Sequence, residues 1–190
     1  MSSNVVRWGG FAGVAAAVMW VLSAILILLA TPQRVSFDSF NDYLLQIVLL
    51  VAYAGTLLAV LGLHILHSGS GRYGRPGAVG SLITFIGYAI VFVVIIISTL
   101  EGGASLLTIR LSAATAVLIG SILLGAMVIR ARIIPWWCGV LLIVAFPLGD
   151  LSNVLLEGSE GILLGILWRL VGYALLSQSR TVAEQPSRVH

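Results

Sequence analysis

Of the 190 residues, 59% are hydrophobic and only 9% are charged, against about 25% charged in a water-soluble domain. That excludes a soluble globular exterior and places the chain in a bilayer. The net charge of +3 is small and scattered, so no basic footprint for nucleic acid is present.

Two residue counts remove further classes. Every basic residue other than histidine is arginine, and without lysine a retinal or pyridoxal Schiff base has no amine to form on. Cys138 is the single cysteine, which excludes an intrachain disulfide and a thiolate metal cluster. No cofactor and no metal are expected.

Apolar runs long enough to cross about 30 Å of hydrocarbon predict an all-α bundle of six transmembrane helices, with spans at 8–30, 43–66, 78–100, 105–129, 134–156 and 161–177. These form one domain over 1–178, followed by a polar tail at 179–190. Span one opens on Arg7-Trp8-Gly9. Its core, Phe11 to Ala30, exceeds the 7–15 residues of a signal-peptide core, and Leu28 is too large for the −3 position of a cleavage site, so it reads as a retained helix. Span two carries Gln46 and Tyr53, seven residues apart and roughly co-facial, and ends at His64 and His67. Two histidines on one face cannot clamp a haem from opposite sides, and a shared metal site would need a carboxylate or cysteine close by, which the spacing does not supply. They read as polar caps near the interface. Span three opens on Arg75-Pro76-Gly77 and ends at Glu101. Span four has Arg110 five residues inside it, with Glu101 as its natural partner. In span five, Pro147 and Gly149 precede Asp150, which predicts a helix break. Span six places Arg169 amid nine Leu, Ile and Val residues.

Orientation follows from the arginines. Arg7, Arg72, Arg75, Arg130, Arg132, Arg180 and Arg188 fall on one side, and Arg34 is the loop arginine of the other. The positive-inside rule then puts both termini in the cytoplasm. The odd spans open on arginine followed by glycine and the even spans end near glycine, consistent with three tandem helical hairpins of the parallel-repeat kind seen in small transporters. Gly161-x-x-x-Gly165 brings backbones close, against neighbouring helices or against a second copy of the chain.

The buried charges carry the functional expectation. Asp150 lies about 10 Å below the end of span five at Glu157, and Arg169 about 13 Å below Glu160, at 1.5 Å of rise per residue. Similar depth on adjacent antiparallel helices predicts an Asp150–Arg169 ion pair. An arginine at a span centre costs about 2.5–3.5 kcal/mol to insert, while each Leu, Ile or Val returns about 0.3–0.6, so such a partner would matter. Asn153 shares the face of Asp150. Asp150, Arg169, Arg110, Glu101, Asn153, Glu157, Tyr53 and Gln46 together form the candidate ligand-binding set; no residue is assigned a catalytic role.

Arg132-Ile133-Ile134-Pro135-Trp136-Trp137-Cys138-Gly139, with Arg7-Trp8-Gly9-Gly10, resembles a pattern in small six-span bacterial membrane proteins without assigned function, where an R-x-x-P-x-W-x-G-like stretch begins the fifth helix. The resemblance implies a multi-pass protein of the bacterial cytoplasmic membrane and transfers no substrate. Three readings stay open: an outward-facing polar site that binds or transports a small, anionic or amphipathic molecule; a non-catalytic accessory subunit of a larger membrane complex; and a lipid-modifying enzyme with Asp150 or Glu157 as base. The partners implied are the bilayer, a small molecule or lipid, and a second copy or a partner subunit.

Overall fold

A computed structural model describes residues 2–29, 40–68, 73–100 and 106–184. They form six helices: α1 (Ser2–Leu29), α2 (Phe40–Ser68), α3 (Gly74–Leu100), α4 (Leu107–Ala131), α5 (Trp136–Leu155) and α6 (Ser159–Glu184). All six are long and apolar enough to cross a membrane. With no water in the hydrocarbon to satisfy peptide groups, a helix that bonds its own backbone is the form such segments must take.

The helix ends follow local chemistry. Pro135 cannot continue α4, and the chain leaves that helix through Arg132 in the left-handed region (φ 54°), whose N–H still donates to Val128 O at 3.2 Å. Between α5 and α6 the turn needs φ +85° at Gly158, and Asn153 Oδ1 accepts the Gly158 N–H at 2.6 Å. The expected break at Pro147 is absent: α5 runs through it unbroken from Trp136 to Leu155. Proline removes one donor there, and the bonds on either side suffice to hold the helix. The sixth helix also outruns its apolar stretch and continues to Glu184.

Each helix packs on its neighbours in chain order, and α6 returns to α1, closing a ring; α2 also touches α6. The most intimate contacts define two triplets. In the first, α1 sits between α2 and α6: a Cβ on Gly9 would stand 2.9 Å from Gly62 Cα, and one on Gly172 would stand 2.8 Å from Gly10 O. Gly161 and Gly165 face the carbonyls of Trp20 and Ala17 in the same way, so this small-residue pair packs within the chain. In the second triplet, α4 sits between α3 and α5: a Cβ on Gly87 would stand 2.9 Å from Val117 N, and one on Gly125 would stand 2.5 Å from Gly139 O. Close backbone approach of this kind substitutes for the hydrophobic effect, which cannot drive association inside lipid.

The triplets meet along α2/α3 and α5/α6, where packing is less extensive. One polar contact bridges the first seam. Ser81 Oγ donates to Ala78 O at 2.9 Å and lies 2.8 Å from His64 Nδ1. A hydroxyl has one proton, so His64 Nδ1–H is the donor to Ser81. His67 Nδ1–H donates to Leu63 O at 2.8 Å, and the Tyr73 ring lies 5.4 Å from that of His67 and 6.0 Å from that of His64.

Helix alternation puts the start of α1 and the end of α6 at one end of the bundle, together with Arg7, Arg75, Arg130 and Arg132. That half is filled: Leu63, Leu124, Val128, Cys138, Val171 and Leu175 are fully buried. The other half is hollow.

Candidate functional site

A cavity of about 670 Å³ occupies the end of the bundle remote from both termini, and every helix contributes to its wall. It lies between the triplets. The first supplies Trp20 and Ser23 from α1, Gln46 and Tyr53 from α2, and Glu160 from α6; the second supplies Tyr88 from α3, Arg110 from α4, and Phe146, Asp150 and Asn153 from α5. Glu157 and Gly158 of the α5–α6 turn complete the rim.

The floor is aromatic. Trp20 and Tyr53 meet edge to face with centroids 4.9 Å apart, Tyr53 and Tyr88 are 5.9 Å apart, and Tyr88 meets Phe146 at 6.4 Å and Trp168 at 6.3 Å. These separations are those of attractive ring pairs, so the cluster is continuous across the boundary between the triplets. Trp20 is fixed by its Nε1–H, which donates to Thr56 Oγ1 of α2 at 3.2 Å. Ser23 turns its hydroxyl back to Trp20 O at 2.7 Å.

Above the rings stand the charges. Asp150 follows Phe146 by one helical turn and so projects on the same side of α5. Glu160, half-buried in the first turn of α6, leans across Gly149: a Cβ on that glycine would come within 3.0 Å of Glu160 Cγ. Arg110 enters from α4. The wall therefore holds three carboxylates, Asp150, Glu157 and Glu160, against one guanidinium, and none forms an ion pair among the described residues.

The sequence-derived set divides accordingly. Asp150, Asn153, Glu157, Arg110, Gln46 and Tyr53 converge on the cavity, and Asn153 spends its side-chain oxygen on the turn at Gly158. Glu101 lies outside the described residues. Arg169 does not join them. It is exposed on the outer face of α6 with Ile162, Ile166 and Tyr173, and the expected Asp150–Arg169 pair is not formed. The reason is rotational. Gly161, Gly165, Trp168 and Gly172 face inward, and Arg169, about 100° further round than Trp168 at 3.6 residues per turn, points away.

Sequence reasoning missed Glu160, Tyr88, Trp20, Ser23 and Phe146. Glu160 reads as a loop anchor because it adjoins the turn. The rings stand at mid-span rather than in the interfacial belts where Trp and Tyr collect, which is the signal that marks them as inward-facing.

The chain is a polytopic α-helical membrane protein, with six helices among the described residues that are long and apolar enough to cross a bilayer. No family model matches it, and no curated protein or solved structure is significantly similar to it. Its function must be argued from the cavity.

Proposed function

We propose that the protein binds a small amphipathic molecule in the cavity and moves it across the bacterial cytoplasmic membrane, with the cavity facing outward and both termini in the cytoplasm. The observation that carries this reading is one cavity of about 670 Å³ walled by both triplets, above a half filled by buried side chains. Ligand sites in membrane transporters lie between such halves, and rocking one against the other alternates access. Here glycine contacts hold each triplet together, while the α2/α3 and α5/α6 seams are looser. The His64–Ser81 hydrogen bond closes the seam at the filled end and has to open for release on that side. The arginine distribution supplies the orientation.

The test uses Ala114→Cys, on the cavity wall, in a Cys138→Ser background. A membrane-impermeant maleimide added to intact cells should label it, and a cysteine in place of buried Ser81 should resist. Labelling of Ala114→Cys only from the cytoplasmic side of inverted vesicles overturns the orientation; no labelling from either side overturns the accessible cavity.

Arg169 supports a second reading, an intramembrane partner. Arg169 has no ion-pair partner among the described residues; an arginine left so at mid-span costs about 2.5–3.5 kcal/mol on the insertion scale, and a carboxylate on a neighbouring copy or an accessory subunit would offset it. Under this reading Arg169→Leu shifts the detergent-solubilised protein from a larger complex to a single chain on native gels. A wild-type protein that is already a single chain refutes it.

A further inference from the structure

We infer that the ligand is a lipophilic organic cation, a quaternary ammonium, phosphonium or amine carried on apolar groups. The inference deepens the cavity reading and rests on it. Three independent features of the wall agree.

The first is the charge balance. With Arg169 turned outward, three carboxylates face one guanidinium among the described residues, so an anionic guest would meet a wall of its own sign. The second is that these carboxylates carry no internal ion pair among the described residues. A carboxylate partly withdrawn from water between apolar helices, as half-buried Glu160 is, stays ionised at lower cost when a cation is beside it, and a cationic guest supplies one. The third is the floor. Trp20, Tyr53, Tyr88 and Phe146 present a continuous aromatic surface under Asp150 and Glu160. Ring faces attract a cation through their quadrupole, most strongly when it is desolvated, and rings around a quaternary ammonium are the recognised form of such a cage.

The two elements select different properties of one molecule. The carboxylates reject anions. The rings reject small hydrated cations such as sodium, which give up water for oxygen ligands rather than for hydrocarbon. What satisfies both is a cation whose charge is diffuse and whose surface is apolar. Gly149 has a specific part here: its missing side chain lets Glu160 lie across α5 and share the cavity with Asp150.

The probe is tetraphenylphosphonium, and its control is tetraphenylborate, nearly identical in shape and opposite in charge. Isothermal titration calorimetry on the purified full chain in a non-ionic detergent should give saturable tetraphenylphosphonium binding that weakens with salt, and none of comparable affinity for tetraphenylborate. Asp150→Asn and Glu160→Gln should each weaken binding about tenfold, and Arg110→Gln should tighten it about threefold, as expected for unit charges acting across a partly wet cavity. The opposite sign at Arg110, an exposed residue, cannot come from misfolding. Tetraphenylborate binding in preference to tetraphenylphosphonium overturns the cation inference and leaves the cavity reading standing; saturable binding of neither overturns both. In phosphatidylglycerol nanodiscs, competition by added phosphatidylcholine would trace the cation to a lipid headgroup, and its absence to a free solute; either result supports cation chemistry.

Discussion

Replacing Gly125 with alanine adds one methyl group at the point where α4 and α5 touch through their backbones. The new Cβ would stand 2.5 Å from Gly139 O, 2.7 Å from Ile143 Cγ1 and 3.2 Å from Leu142 Cβ, whereas ordinary contact begins at 3.4 Å. The nearest of these atoms is backbone, so no rotamer change relieves it, and the helices must part locally by about 0.9 Å (3.4 minus 2.5). A gap of 0.5–1 Å forfeits roughly a quarter to a half of each dispersion contact along the opened line, and over-packing of this kind costs about 1–3 kcal/mol. Helix propensity acts the other way, since alanine is better than glycine in a helix by roughly 0.5–1 kcal/mol. The two effects differ in sign, and the packing term is the larger. Reversible unfolding in mixed micelles titrated with sodium dodecyl sulfate, followed by tryptophan fluorescence, should show a net loss of about 1 kcal/mol, the difference between the midpoints of those terms. A variant as stable as the parent, or more stable, would refute the close approach of α4 and α5 and with it the tightly built triplet.

Gly149→Ala meets a flexible side chain, Glu160 Cγ at 3.0 Å, so it should displace the carboxylate, change stability by less than about 1 kcal/mol, and weaken tetraphenylphosphonium binding in calorimetry. Trp20→Phe removes the donor to buried Thr56 Oγ1 and should cost about 1–3 kcal/mol in the same detergent titration, whereas Trp20→Phe with Thr56→Val should recover part of that loss. Asp150→Leu and Arg169→Leu should act independently, with a double-mutant coupling below about 0.5 kcal/mol, because the two side chains point to different environments. A coupling well above that would restore the ion pair.

The fold was legible because hydrocarbon thickness sets helix length, and apolar runs can be counted. Every expected span overlaps an observed helix, and α6 runs past its apolar stretch through the first polar residues of the expected tail, to Glu184. Depth was legible for the same reason: Asp150, Arg110, Gln46 and Tyr53 do share one end of the bundle. Rotation about a helix axis was not. One residue of offset is about 100°, and on α6 that offset separates inward Trp168 from outward Arg169. The inward face was set by where Gly161, Gly165 and Gly172 let α1 approach, a constraint of the partner helix rather than of α6 itself. Glu160 escaped notice because its reach depends on Gly149 of another helix. The proline break failed for a similar reason, since one missing donor does not outweigh the bonded turns around it.

Because α1 meets α6 as extensively as it meets α2, the small-residue groove of α1 is covered only once α6 has been made. Until then the groove around Gly10 and Gly13 is held only by lipid. A chain truncated before Ser159 would therefore present an adhesive stripe on α1 to any passing membrane segment. The same closure makes the order of helices interchangeable: linking the start of α1 to the end of α6, which belong to adjacent helices, and cutting at another loop would yield a permuted chain with the same contacts.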